Sequence, residues 1–374
     1  MANRKLFVAM LAMALVLGMT AVSCGRVKQA AEMVKTVKEL QKELQKAGDS
    51  GKTAESGETA DTSKTAESGK KADSKSSGNS GGQTAVDSMT WTAVKDSPFG
   101  PNDIIEAIAF GNGKFVAIGD WGRKAAYSSD GVTWTAVADT KFGDNEIKAI
   151  AFCKDKFIAV GERGTMRSSS DGVTWSYVYD HKFNRNTSIN SITYGNNMFV
   201  AGGDVGQIAS SPDSITWTAV KDTILNANRV VAIAGSKDML VAGGNNGKMA
   251  YSSDGIKWTD IDVSSIFDKT WIDTIAYGNG KFVASGSVKA AYSSDGIKWT
   301  EVIKPRTNSL SPIIFANNKF IAASDGAKMA TSTDGVTWTS INDCIQNITA
   351  IAFGNGTFVV GGVEGKMAYS TRKN

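Results

Sequence analysis

Seven tryptophans, Trp91, Trp134, Trp175, Trp217, Trp258, Trp299 and Trp338, are spaced 43, 41, 42, 41, 41 and 39 residues apart. A fixed period of this length constrains the fold more than any single motif, because each unit must bury its apolar face against a neighbouring copy. Within a unit, short runs such as "IEAIAF" (105–110), "FVAIG" (115–119) and "KAAYSS" (124–129) are rich in Val, Ile, Ala, Phe and Tyr and are bounded by Gly, Asn and Asp. That is a strand and hairpin pattern. Asn112-Gly113, Asn279-Gly280 and Asn355-Gly356 fall at one place in three units, and Asn-Gly is the strongest short signal for a two-residue hairpin turn.

Four antiparallel strands every 40 residues or so describe an all-β fold, a β-propeller. Trp91 to Asn374 spans 284 residues, about 41 per blade for seven blades. The last unit stops at "GKMAYSTRKN" (365–374) without its tryptophan strand, while "DSMTWTAV" (87–94) stands as an orphan at the start. The expectation is a seven-bladed propeller over 86–374, closed by the N-terminal strand as the outermost strand of the seventh blade. Closure removes free sheet edges.

The stretches "SSDGVTW" (128–134, 169–175), "SSDGIKW" (252–258, 293–299) and "STDGVTW" (332–338) resemble the Asp-box, or BNR, repeat of sialidase-like propellers, shortened by one residue between Asp and the aromatic. The wider pattern "VGERGTMRSSSDGVTW" (160–175) resembles the repeats of the Ycf48-type photosystem assembly factor family. The resemblance implies a propeller; a fold does not carry its function with it.

The aspartates Asp130, Asp171, Asp213, Asp254, Asp295 and Asp334 recur around the ring, whereas chemistry needs a carboxylate once or twice. Asp before Gly between two strands reads as a turn, with the carboxylate accepting backbone N–H groups and Gly taking positive φ. The tryptophan that follows is expected to fill the space between blades. In "PDSITW" (212–217) Ser replaces that Gly, at an expected cost in backbone strain.

Residues 1–23 read as a leader, with Arg4 and Lys5 before an apolar run from Leu6 to Met19 that is short for a membrane span. "AVSC" (21–24) resembles a relaxed bacterial lipobox with Ala21 where Leu is usual, which implies cleavage before Cys24 and lipid attachment to it. The lipid would anchor the chain to a bacterial membrane in the cell envelope, the outer membrane or cell surface being favoured. Residues 24–47 hold that cysteine and an amphipathic segment in which Ala30, Met33, Val37, Leu40, Leu44 and Ala47 alternate at spacings of 3 and 4. It reads equally as a lone helix near the bilayer or as a short stalk for weak self-association through 27–47. Residues 48–85, built of Gly, Ser, Thr, Lys, Glu and Asp, read as a disordered tether reaching roughly 30 to 37 Å.

The net charge of +4, two of it carried by Arg4 and Lys5, is too small to argue for nucleic acid. Cys153 falls at the first hairpin turn of blade 2 and Cys344 in the loop leading into blade 7, on opposite faces, so no disulfide between them is expected. The single histidine, His181, specifies no His-based triad or metal site, and no cofactor motif appears.

The face most suited to binding carries the loops leading into each blade and those joining second and third strands, where the units differ most. Its candidates are Asp120, Trp121 and Arg123 in blade 1, Glu162 and Arg163 in blade 2, Asp204 in blade 3, Asn245 and Asn246 in blade 4, and Trp271 leading into blade 5. Phe99, Phe142, Phe183 and Phe267 recur in the leading loops and read as packing. The expected function is a binding or scaffold module for a protein or glycan partner. The alternative is a sialidase-like glycan hydrolase, in which Arg123, Arg163, Arg185, Arg229 or Arg306 would have to supply an arginine triad.

Overall fold

The computed structural model describes residues 89–119, 123–221, 225, 228–302, 309–324, 328–341 and 345–371. The leader, Cys24, the amphipathic segment and the tether lie outside the described residues, as do Asp120, Trp121, Arg306 and Cys344. Among the described residues there are seven four-stranded sheets arranged as the blades of a β-propeller. No helix among them is long and apolar enough to cross a membrane.

Blade 1 runs Ile105–Gly111, Lys114–Gly119, Lys124–Ser128 and Thr135–Ala136 from the centre outward. Blades 2 to 6 repeat that order. In the seventh sheet Ile348–Gly354, Thr357–Gly362 and Met367–Thr371 are joined by Thr90–Ala93, with Thr90 opposite Thr371 and Ala93 opposite Ala368. The second strands are almost wholly buried because both of their faces meet apolar side chains, which is why they read as continuous apolar runs. The outermost strands of blades 1, 2, 3 and 5 keep only two residues each, too short an edge to recruit another strand.

The hydrophobic core is divided into seven clusters, each drawn from two neighbouring blades. Trp217 of blade 3, for example, lies with Phe199, Ala201 and Ala209 of its own blade and Ile158, Val160 and Met166 of blade 2. Phe99, Phe142, Phe183 and Phe267 are buried in four of these seams. Blades come so close that a Cβ on Gly111 would lie 2.0 Å from the Phe152 ring of blade 2.

The turn ahead of each tryptophan is made by two side chains. In blade 1, Asp130 Oδ1 accepts the N–H of Val132 and of Thr133, both at 2.8 Å. Ser128 donates its hydroxyl to the same oxygen and accepts the N–H of Gly131, both at 2.8 Å. The indole Nε1 of Trp134 then donates to the Gly131 carbonyl at 3.1 Å. The aspartate and serine bonds recur with Asp171, Asp213, Asp254, Asp295 and Asp334, each with a buried serine two residues earlier, and the indole bond recurs at Trp217, Trp299 and Trp338 but not at Trp175 and Trp258. Ser214, which replaces glycine, is held at φ 67° with its hydroxyl buried and unbonded, so it carries both the backbone strain and an unsatisfied polar group.

A second link joins blades on this face. Asn112 Nδ2 donates to Ser170 O of blade 2 at 2.8 Å, Asn279 to Thr333 O of blade 6 at 3.1 Å, and Asn355 to Ser129 O of blade 1 at 3.0 Å. The three asparagines sit at φ between 45° and 48°, so one residue both forms the hairpin and ties it to the next aspartate turn. Cys153 corrects one expectation: it is disulfide-bonded. The hairpin register fixes where Cys153 sits but names no partner, and the other two cysteines, Cys24 and Cys344, lie outside the described residues.

Two outcomes follow from the seams and turns. Trp217→Ala should cost about 3–5 kcal/mol, read from the denaturant midpoint. The backbone N–H groups of Thr216 and then Ile215 hold Asp213 at about 2, against 3.8 ordinarily. Partial burial opposes ionisation of Asp171, yet the N–H groups of Thr174 and Val173 outweigh it and bring it also to about 2. Between about pH 4 and pH 2 the unfolded chain therefore takes up protons that the folded chain does not, so stability present above pH 4 is lost as pH falls. Thermal melts across that window should show the loss, and Asp213→Asn, which keeps an acceptor but cannot titrate, should shrink it.

Candidate functional site

The opposite face is built on one backbone device. In blades 2, 3, 4 and 7 the second and third strands are joined by a three-residue turn, Glu162–Gly164, Asp204–Gly206, Asn245–Gly247 and Val363–Gly365. Its middle residue, Arg163, Val205, Asn246 or Glu364, sits at φ between 50° and 57°. The first residue donates its N–H to the carbonyl of the residue just before the inner strand: Glu162 to Glu146, Asp204 to Ser188, Asn245 to Arg229 and Val363 to Asn347. The closing glycine donates to the loop leading into the next blade, as from Gly164 to Thr187 O at 2.7 Å and from Gly247 to Thr270 O at 2.6 Å. Loops that read as variable thus share one conformation in four blades, and only their side chains differ.

The residue just before the inner strand is Ile104, Glu146, Ser188, Arg229 and Asn347 in blades 1 to 4 and 7, and the aligned position of blade 5 is Trp271, three residues ahead of Thr274. Arg229 and Trp271 hold this position in adjacent blades, and they meet, with the guanidinium carbon 5.8 Å from the indole centroid. Arg229 Nε also pairs with Asp204 Oδ1 at 2.7 Å. Asp204 is fixed in turn: Oδ1 accepts Asn190 Nδ2 at 3.0 Å and Oδ2 accepts Ser188 N at 3.1 Å. Partial burial opposes charge on Asp204, but the bonds from Asn190 and Ser188 and the Arg229 cation outweigh it and hold the carboxyl below the usual range. Asn245 Oδ1 accepts the Arg229 N–H at 2.6 Å, and Asn246 Nδ2 donates to Asn228 Oδ1 at 2.8 Å.

The structure therefore brings Asp204, Asn245, Asn246 and Trp271 into one patch across blades 3 to 5, with Arg229 as the residue that joins them. Arg229 was legible only as one arginine among five. Aligning the repeats on the inner strand would have placed it 42 residues before Trp271, in the same position of the preceding blade. Asp204 and Asn245 are committed to holding backbone and guanidinium, while Trp271 is 43% exposed. Val205, beside Asp204, is 54% exposed at positive φ, a strained conformation for a β-branched residue.

The other candidates stand apart. Arg123 Nε lies 3.8 Å from Asp144 in the loop leading into blade 2. Glu162 is half-buried and Arg163 exposed, and neither side chain bonds to the blade 3–5 patch among the described residues. Asp120 and Trp121 lie outside the described residues. His181 Nδ1 accepts the Phe183 N–H at 3.2 Å, and burial, then the Arg167 charge, push its imidazole below the ordinary value. Among the described residues no three His, Cys, Asp or Glu side chains gather as a metal-holding group.

No family model and no curated protein matches the sequence. Solved structures do match in fold. The chain is similar to YCF48 from Cyanidioschyzon merolae, with 18% identity over 75% of this chain and 98% of the other, at a TM-score of 0.57. It is similar to YCF48 bound to D1 peptide, with 19% identity over 76% and 97% at 0.59. It is also similar to a catalytically inactive virginiamycin B lyase from Staphylococcus aureus with quinupristin, with 13% identity over 76% and 99% at 0.64. At these identities the likeness is one of fold, and the class is the seven-bladed β-propeller.

Arg229→Ala removes the cation from the Asp204 carboxylate and from Trp271. Because the guanidinium is about half exposed, the expected loss of stability is modest, about 1 kcal/mol, measured as a shift in the urea midpoint. Arg229→Lys should not restore it, since a point charge cannot both pair with the carboxylate and lie over the indole.

Proposed function

We propose that this protein is a membrane-tethered binding module whose propeller takes a partner on the face that carries Arg229 and Trp271. The observation that carries the reading is the exposed indole braced by a guanidinium that is itself held by Asp204. Trp and Arg are the side chains most often found as binding anchors, and a pre-positioned pair loses little conformational freedom when a partner arrives. The fold likeness to YCF48 bound to D1 peptide supports a protein segment as the partner; a glycan is the second choice. Against the hydrolase alternative, Arg229 is engaged by Asp204 and Arg123 lies beside Asp144, so these two arginines do not converge.

The tether belongs to the same proposal. The leader of residues 1–23, Cys24, the amphipathic segment and the polar linker to residue 85 support a lipid-anchored protein of a bacterial cell envelope, at the outer membrane or cell surface, with the propeller held off the bilayer.

Crosslinking in intact cells followed by mass spectrometry should capture a partner with the wild-type chain. Trp271→Ala or Arg229→Ala should reduce that capture by at least about tenfold; capture left unchanged in both would refute the site. Cys24→Ala should move the protein from the membrane fraction to the soluble one, and retention in the membrane would refute the anchor.

A further inference from the structure

The internal repeat acts as its own alignment, and it isolates one coordinated departure at the outer edge of blade 2. The third strand of a blade pairs with the fourth through one residue couple: Ala126 with Ala136, Ala209 with Ala219, Ala250 with Asp260, Ala291 with Glu301, Ala330 with Ser340 and Ala368 with Ala93. Six blades thus place a buried alanine on the third strand. Blade 2 places Arg167 there, opposite Tyr177. Arg167 breaks the alanine pattern, its partner Tyr177 is the one aromatic residue in a column otherwise made of Ala, Asp, Glu and Ser, and Tyr179, two residues on, packs against Tyr177.

These three side chains form a stack. The Arg167 guanidinium lies 3.9 Å from the Tyr177 centroid. Tyr177 and Tyr179 are 5.6 Å apart with ring planes 17° from parallel. Tyr179 is 83% exposed and Tyr177 49%, so the flat face at the end of the stack is open to solvent. Arg167 Nε donates to Lys141 O at 2.6 Å and Nη1 to Met166 O at 2.9 Å. A guanidinium has five N–H donors, and among the described residues no carboxylate pairs with this one. Placing a half-buried cation where an alanine suffices six times breaks the local rule of the fold, and such breaks mark functional positions.

The geometry points to an oligosaccharide-binding site at the rim of blade 2, separate from the Arg229 face, in which one pyranose lies on Tyr179 and the carboxylate of a neighbouring unit along the rim reaches Arg167. The apolar C–H face of a pyranose matches one flat exposed ring, while its hydroxyls remain in water. Two rings already in contact leave no slot between them for a proline side chain, which argues against a polyproline ligand. The unused donors of Arg167 supply the complement to a carboxylate, in the fork geometry that suits that group.

The test uses the full chain on an array of immobilised oligosaccharides with and without uronic acid units, with thermal melts of each variant. Binding to uronate-containing glycans is expected. Tyr179→Ala should lower it at least tenfold, whereas Tyr179→Phe, which keeps the ring, should retain it. Arg167→Ala installs the residue found in the other six blades, so the melting temperature should hold or rise while the preference for acidic over neutral glycans is lost. No glycan bound, binding confined to neutral glycans, binding indifferent to Tyr179→Ala, or a collapsed melting temperature in Arg167→Ala would each overturn the assignment.

Discussion

The packing of a tryptophan across a blade boundary is the contact on which the remaining structure depends. A four-stranded sheet with a two-residue outer strand has no core of its own, and a lone small sheet is marginal in water. What makes it persist is the seam it shares with the blade before it, where, as in blades 2 and 3, the indole, the phenylalanine of the second strand and the aliphatic residues of both inner strands are buried together. The aspartate turn serves that contact. By binding two backbone N–H groups and a serine hydroxyl, it sets the direction from which the indole leaves the chain, and four of the indoles are then fastened to the turn's own carbonyl.

Seen this way, the two faces of the ring have different jobs. On one, asparagine hairpins and aspartate turns are bonded blade to blade, so their polar groups are already spent on the scaffold. On the other, one turn recurs in four blades, but the residue at the entry to the inner strand changes from blade to blade, from Ile104 through Glu146 to Arg229 and Trp271. Regularity of backbone with irregularity of side chain is what a rigid display surface requires. The strain at Val205 belongs to that face and not to the scaffold face.

Much of the fold was legible because its determinants repeat. Trp spacing gave the period, Asn112, Asn279 and Asn355 gave the hairpins, and the alternation of turns with apolar runs gave four strands per unit. The serine two residues before each aspartate repeats just as faithfully, and it was readable in principle as the other half of the turn. The site was less legible for a physical reason. Arg229 meets Asp204 and Trp271 only because three successive blades bring a second-to-third-strand turn and two inner-strand entry positions side by side, and that proximity depends on seams, not on local sequence. A single chain names the exposed anchors; it does not say which arginine stands beside which indole. The disulfide at Cys153 was missed for the same reason, since hairpin register fixes where a cysteine sits but not what reaches it.

The pairing of Thr90 with Thr371 joins residues nearly the full length of the propeller apart. During synthesis, which runs from the N-terminus, the strand Thr90–Ala93 emerges first and finds its hydrogen-bonding partner last. Six blades can assemble by local steps while this segment waits, so the longest-range pairing of the propeller is the last it can make. Until Met367–Thr371 has been made, the seventh sheet lacks the strand that receives Trp91.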